Sequence, residues 1–416
     1  MKRIYPGSRE FQKITNRTAY RNLRVEERVR RIIEDVRLHG DDALLRYTRK
    51  FDRVKLTPRT LQVTQAETNG AFQNINPGLV NQLKVVIENV ARFYRRQSAL
   101  QKSWKIRDQE GVVLGKRNSA LDTVGVYVPA GQAPLVSTVY MTVLPAQIAG
   151  VRRIIMTTPP REDGSLNPHI LAIANLLKVN EIYKVGGAQA IAAMAFGTKT
   201  LPRVDKIVGP GNDYVTEAKR QLFGIVDIDM VAGPSEVVVI ANDYSNPDFV
   251  MSDLAAQAEH ALGLSVLVTT SKKLVRLAKK SDTRGYVIFV RKIEEAVDIA
   301  NQIAPEHLEI LVKNPNKWAR CIRHAGAIFL GPYSPTVVGD YYAGPSHVLP
   351  TRGTARFFSG LSVSDFIKSH TVISFSKKAL EKAMGPIEEI SKLEGLKKHY
   401  DSAKIRFDQK EAGRSS

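Results

Sequence analysis

The sequence predicts an α/β fold. We expect two doubly wound, Rossmann-like parallel-sheet domains, an N-terminal arm and a C-terminal strand-helix tail. Three observations carry this expectation. From Asp122 onward, short apolar runs bounded by Gly, Pro or Asp alternate with helical text, which is the pattern of βα units. A second series of such runs begins after Ser235. The length of 416 residues also exceeds what one hydrophobic core organises.

In chain order, residues 1–22 lack periodicity and form the expected arm. Val29, Ile32, Ile33 and Val36 fall at i, i+3, i+4 and i+7, so a helix is expected over Val25–Phe51. Gly40 should break it, with Asp41 or Asp42 capping the continuation. A second helix is expected over Gly78–Leu100. The first βα series then runs through the strands DTVGVYV, RRIIMTT, EIYKV and DKIVG and the helices between them. The second runs through EVVVIA, SVLVTT, YVIFV, LEILV and GAIFL. The expected division is an arm at 1–22, a discontinuous larger domain at 23–123 plus 235–361, a Rossmann-like domain at 124–234 and a tail at 362–416. The larger domain thereby draws on the N-terminal helices.

Composition narrows the function classes. Hydrophobic residues make up 43%, enough for buried cores, and charged residues 25%, ordinary for a soluble protein. A lone cysteine, Cys321, excludes an internal disulfide framework and suits a reducing cytosol. Its expected role is that of a small buried hydrophobe, not a nucleophile. The start MKRIYPGSREFQK holds no apolar segment, so no secretory signal is expected. No apolar run reaches the roughly 18–20 residues of a membrane span. The formal charge is +20, yet the basic residues are scattered among acids without interleaved aromatics, so no nucleic-acid partner is expected.

Three strand-to-helix turns are rich in small residues: YVPAGQAP at 127–134, VGGAQA at 185–190 and VGPGND at 208–213. Such turns expose backbone N–H groups at helix N-termini and suit a pyrophosphate. None is G-x-G-x-x-G followed by a ribose-binding acid, so ordinary turn chemistry stays open beside dinucleotide binding. In SDLAAQAEHALG, Gln257 and His260 stand three apart on expected helix text, where side chains share a face and can reach one metal ion. Asp340 stands in a Gly-rich loop at 337–360, away from helix text, and His347 follows after a Gly-Pro turn. His399 and Glu394 lie in the tail. In IAPEHLEILV, Glu306 and His307 precede an apolar strand. As neighbours in an extended segment they should point apart rather than neutralise each other, each facing a different proton.

Together these segments resemble the histidinol dehydrogenase family. The matching text includes VGVYVPAG, VGGAQAIAAMAFGT, KIVGPGN, DIDMVAGPSEV, QAEH, APEHLEI, GDYYAGPSHVLPTRGTARFFSGLSVSDF and LEGLKKH, in the family's order. The resemblance implies a cytoplasmic enzyme that oxidises L-histidinol through L-histidinal to L-histidine with two NAD and one water. It implies one Zn²⁺ per subunit, held by Gln257, His260, Asp340 and His399, and Glu306 and His307 as the catalytic pair. It implies substrate contacts at Ser235, His347 and Glu394, shared with Gln257, His260, His307, Asp340 and His399. NAD contacts are implied at Tyr127, Gln189 and Asn212, within 124–234, which makes that stretch the NAD-binding domain. The metal and catalytic residues then fall mainly in the larger domain. The family forms homodimers, and by likeness the tail completes the partner's site. Ala130, Ala261 and Leu262 depart from commoner family text, and Arg352 adds charge near the expected site. The alternative is a zinc- and NAD-dependent enzyme of the same fold acting on another polar alcohol, such as a sulfonated diol.

Overall fold

The computed structural model describes residues 1–17, 22–130, 134–260 and 262–408. The chain divides into two compact units, Met1–Ser98 with Ala120–Phe366, and Ala99–Ser119 with Ile367–Ser416. It opens on a short strand of the first unit, β1 (Lys2–Ile4). The strands β2 (Trp104–Arg107) and β3 (Val113–Ala120) pair antiparallel in the second unit.

The first unit carries two parallel sheets. Strands β4 (Thr123–Tyr127), β5 (Arg153–Thr158), β6 (Glu181–Lys184), β7 (Lys206–Val208) and β8 (Asp227–Ile228) lie in the order β6-β5-β4-β7-β8. Strands β9 (Glu236–Ala241), β10 (Leu264–Thr269), β11 (Tyr286–Phe289), β12 (His307–Leu311) and β13 (Ala327–Leu330) join β1 in the order β1-β11-β10-β9-β12-β13. Each order reverses once, between β4 and β7 and between β9 and β12, as doubly wound sheets do. Every residue of β9 and of β12 is buried, because helices cover both faces of these sheets. The strand β14 (Ile367–Ser374) joins β3 and β2 in the second unit, followed by helices Lys377–Leu393 and Lys397–Asp408. Among the described residues, no helix is long and apolar enough to cross a membrane.

Four expectations are corrected. Residues 1–22 are not a loose arm where described. β1 extends the six-stranded sheet beside β11, and helix Arg9–Thr15 buries Phe11 and Ile14 in that sheet's core. Elements this short leave too little periodicity to read. The long helix Leu23–Phe51 does not join the six-stranded sheet either. Helix Leu23–Phe51 breaks at Gly40 (φ +50°) as expected, but its apolar stripe, with Val29, Ile32 and Ile33, packs with Ile191, Met194 and Val215 over the five-stranded sheet. A stripe declares that a face is buried, not against what. Asp340 lies in a helix, Thr336–Tyr341, rather than in a loop. Cys321 is exposed, just beyond helix Pro315–Ala319. Among the departures, Ala261 lies outside the described residues, as does Gly131 of the first small-residue turn.

Candidate active site

Strand β12 begins at His307, so Glu306 and His307 stand at the amino edge of the six-stranded sheet. Ligands usually meet such sheets at the carboxyl edge. The anchor is the main chain of Glu236, which opens the neighbouring strand β9. Its N–H donates to Glu306 Oε2 at 2.8 Å, and its carbonyl accepts from His307 Nδ1 at 3.0 Å. A carbonyl only accepts, so Nδ1 carries a proton and neutral His307 keeps its lone pair on Nε2. That nitrogen is 3.6 Å from Asp340 Oδ1.

The two neighbours do not point apart as expected. Glu306 Oε2 is 3.5 Å from His307 Nδ1, because the main chain of one residue, Glu236, holds both. Both side chains are buried. Burial pushes the Glu306 carboxyl up to about 7, against the opposing pull of His307. Burial also disfavours charge on His307, but Glu306 and Asp340 outweigh it and raise the imidazole above its ordinary value. His347 is placed beside Asp340. Its Nδ1 donates to the Asp340 carbonyl at 3.0 Å, its Nε2 lies 3.3 Å from Thr138 Oγ1, and burial lowers its pKa. Ser235 is half-buried and immediately precedes Glu236.

The metal candidates are less gathered. Helix Pro247–Ala258 ends before His260, which is exposed in the following turn, where its N–H donates to the Gln257 carbonyl at 3.2 Å. Gln257 is buried, and its Nε2 has no hydrogen-bond partner. An amide NH2 only donates, but a flip of the amide exchanges nitrogen and oxygen, so this unpartnered end of Gln257 can present its oxygen to a bound cation, and the Asp340 carboxylate adds an anionic donor. Among the described residues, no group of three or more His, Cys, Asp or Glu side chains is disposed to hold a metal. Glu394 caps helix Lys377–Leu393 and His399 lies on helix Lys397–Asp408, both exposed in the second unit.

The five-stranded sheet does gather its candidates. Tyr127, Gln189 and Asn212 line one cavity of about 1110 Å³, together with Ala130. Arg28, Arg31 and Lys50 bring cations to it from helix Leu23–Phe51. The Tyr127 hydroxyl accepts from Gly187 N–H at 3.1 Å, while Gln189 Oε1 is buried and unpartnered. Asn212 caps its own helix, accepting from the N–H groups of Tyr214 and Val215. Gly209 (φ +117°) is required here, since a Cβ would sit 2.2 Å from the Tyr127 carbonyl oxygen. Arg352 lies against Gly233, reaches Asp213 Oδ1 at 3.5 Å and gives its N–H to Glu236 Oε1 at 2.6 Å. Its charge is therefore partly engaged.

Sequence reasoning missed two groups. Glu236 had a visible signal, a carboxylate opening an otherwise apolar strand. Asp52, which also lines the cavity, had none. Its Oδ2 is buried without a partner, and burial pushes its carboxyl up to about 6. An unfolded Asp titrates near 3.9. Folding therefore opposes its ionisation, with no cost below about pH 4 and the full cost above about pH 6. The Asp52→Asn variant should gain about 1 kcal/mol at pH 7 in the ligand-free protein, after discounting the full shift for partial exposure. The gain should vanish at pH 4, as urea denaturation at the two pH values will read.

A family model described as Histidinol dehydrogenase matches residues 15–407. The chain is 46% identical over 420 residues to histidinol dehydrogenase of Clostridium acetobutylicum, covering 96% of each. It is 47% identical over 407 residues to that of Listeria monocytogenes serovar 1/2a, covering 93% of this chain and 94% of the relative. Its fold is similar to the crystal structure of histidinol dehydrogenase from Elizabethkingia anophelis, with a TM-score of 0.91, 36% identity and 98% of each chain covered. With the fold and nearly the full length matched, this chain belongs to the histidinol dehydrogenase family.

Proposed function

We propose that the protein oxidises L-histidinol through L-histidinal to L-histidine, passing two hydrides to NAD and consuming one water, in the last steps of histidine biosynthesis. Family membership supports the reaction and does not favour the sulfonated-diol alternative. The observation that carries the chemistry is the buried Glu306–His307 pair, held by the main chain of Glu236 with His307 Nε2 on the Asp340 side.

In the first step His307 Nε2 takes the hydroxyl proton as hydride leaves the carbinol carbon for NAD, giving aldehyde and NADH. Glu306, raised by burial, then takes a proton from the water that adds to the aldehyde. His307 takes the proton of the resulting hydrate as the second hydride departs. The sum is histidinol, two NAD⁺ and water giving histidine, two NADH and three protons. Gln257 and Asp340 would hold zinc, with His260 and His399 as its nitrogen donors. Bound there, zinc supplies Lewis-acid orientation of the substrate's imidazole and amine. Tyr127, Gln189 and Asn212 face the NAD site, and Ser235, His347 and Glu394 contact the substrate. The NAD-binding domain is 124–234.

The working form is a cytoplasmic homodimer in which the tail of each chain, with Glu394 and His399, serves the other's site. Supporting this, the second unit exposes Trp104, Ile106, Ile373, Ile390 and Leu393, the last 88% exposed. Bare apolar side chains of this kind are what a subunit contact would cover.

The test is incubation with L-histidinol and NAD, with and without a chelator. Two NADH per histidine are expected, with loss of activity on chelation. One NADH with aldehyde accumulating, or no oxidation, overturns the reading. The Glu306→Gln variant should slow oxidation of added histidinal by about 10²-fold or more, while the parent rate would remove Glu306 from the hydration step.

A further inference from the structure

Behind the candidate site lies a buried acid that the mechanism does not use. Glu309 follows His307 by two residues on β12, so the two side chains share one face of the sheet. That face packs under helix Pro247–Ala258, where Val250, Leu254, Val237, Val239 and Leu311 form one apolar cluster. Glu309 is fully buried there. Its Oε1 accepts the N–H of Thr336, the first residue of helix Thr336–Tyr341, at 2.8 Å. Its Oε2 is buried with no N–H or O–H donor among the described residues. The group that meets the Glu309 carboxyl is the carboxyl of Asp253, on helix Pro247–Ala258.

These three partners are regularly spaced from site residues. Asp253 lies one helical turn before Gln257, Glu309 one pleat beyond His307, and Thr336 one turn before Asp340. We infer that the Asp253–Glu309 carboxyl pair is a latch joining these three elements, and that it positions Gln257, His307 and Asp340 relative to one another. Two carboxyl groups hydrogen-bond only when one carries the proton. Burial raises both carboxyls, in keeping with a proton retained between them. A bridge of this kind fixes distances between backbones, where packing of apolar side chains alone tolerates slippage.

The inference rests on the proposed roles of Gln257, His307 and Asp340. Its test uses conservative and disruptive variants of the full-length, zinc-loaded protein. Glu309→Gln keeps both bonds, its amide oxygen accepting from Thr336 and its N–H donating to Asp253. Asp253→Asn likewise keeps an acceptor for Glu309. Both should stay within about threefold of the parent in histidinol turnover and in Zn²⁺ affinity by chelator competition. Glu309→Leu and Asp253→Ala remove the bridge and should each lose about 10–100-fold in both quantities. Should Glu309→Leu fail to fold, the half-buried Asp253 pair carries the test. Disruptive variants that match the parent, or conservative variants that fall as far as the disruptive ones, overturn the latch. A parent that binds zinc but leaves histidinol unoxidised overturns the functional reading instead, and the affinity series still reports on the latch.

Discussion

Turnover of histidinol falls by about 10²–10⁴-fold in the His307→Asn variant, while the KM for histidinol changes little. That is about 3–5 kcal/mol of barrier, the usual worth of a positioned general base. The substitution is chosen for what it keeps. An Asn side-chain N–H can still donate to the Glu236 carbonyl, which holds His307 Nδ1 at 3.0 Å. Glu306 also retains its bond from the Glu236 N–H. What disappears is Nε2, the only nitrogen of His307 left with a lone pair. Single-turnover measurement of NADH formation separates this chemical step from product release. A variant within tenfold of the parent removes His307 from the role of base.

Arg17→Ala should destabilise the protein by about 3–5 kcal/mol, the cost of leaving a buried charge without its partner. The Arg17 guanidinium pairs with the Glu236 carboxylate, the two side chains being 14% and 3% exposed. It also donates to the Ile303 carbonyl at 3.0 Å. Without it Glu236 keeps the Arg352 N–H on Oε1, and its Oε2 already lacks a hydrogen bond. Urea denaturation reads the loss. In the double variant Arg17→Ala, Glu236→Gln much of it should return, because a neutral amide needs no counter-charge. A loss below about 1 kcal/mol for Arg17→Ala would mean the pair acts as an ordinary surface salt bridge. Activity should fall with stability, since the main chain of Glu236 seats both Glu306 and His307.

Much of this molecule was legible because parallel sheets buried on both faces write themselves as apolar runs. EVVVIA, SVLVTT and LEILV could hardly be anything else, and each is a strand. The three small-residue turns were legible for the same local reason, and the structure brings Tyr127, Gln189 and Asn212 to one cavity. What local text does not encode is the partner of a surface. The stripe of Val29, Ile32 and Ile33 was plain, but its destination on the five-stranded sheet is a fact of tertiary packing. The helix at Thr336–Tyr341 was hidden because Gly339 and the surrounding Gly-Pro text argue for a loop. Glu309, remote in sequence, accepts its first amide and sustains it. Asp52 and Arg17 were equally illegible, since an isolated charge near a helix end is ordinary until the fold buries it.

The placement of β1 bears on how the chain assembles. Lys2 pairs with Tyr286 and Ile4 with Ile288, so the edge of the six-stranded sheet is sealed by a segment that leaves the ribosome well before its partner strand. Until β11 has emerged, that segment has no neighbour, and Phe11 and Ile14 have no core to enter. Loop-closure entropy across so long a separation makes the pairing a late event in folding.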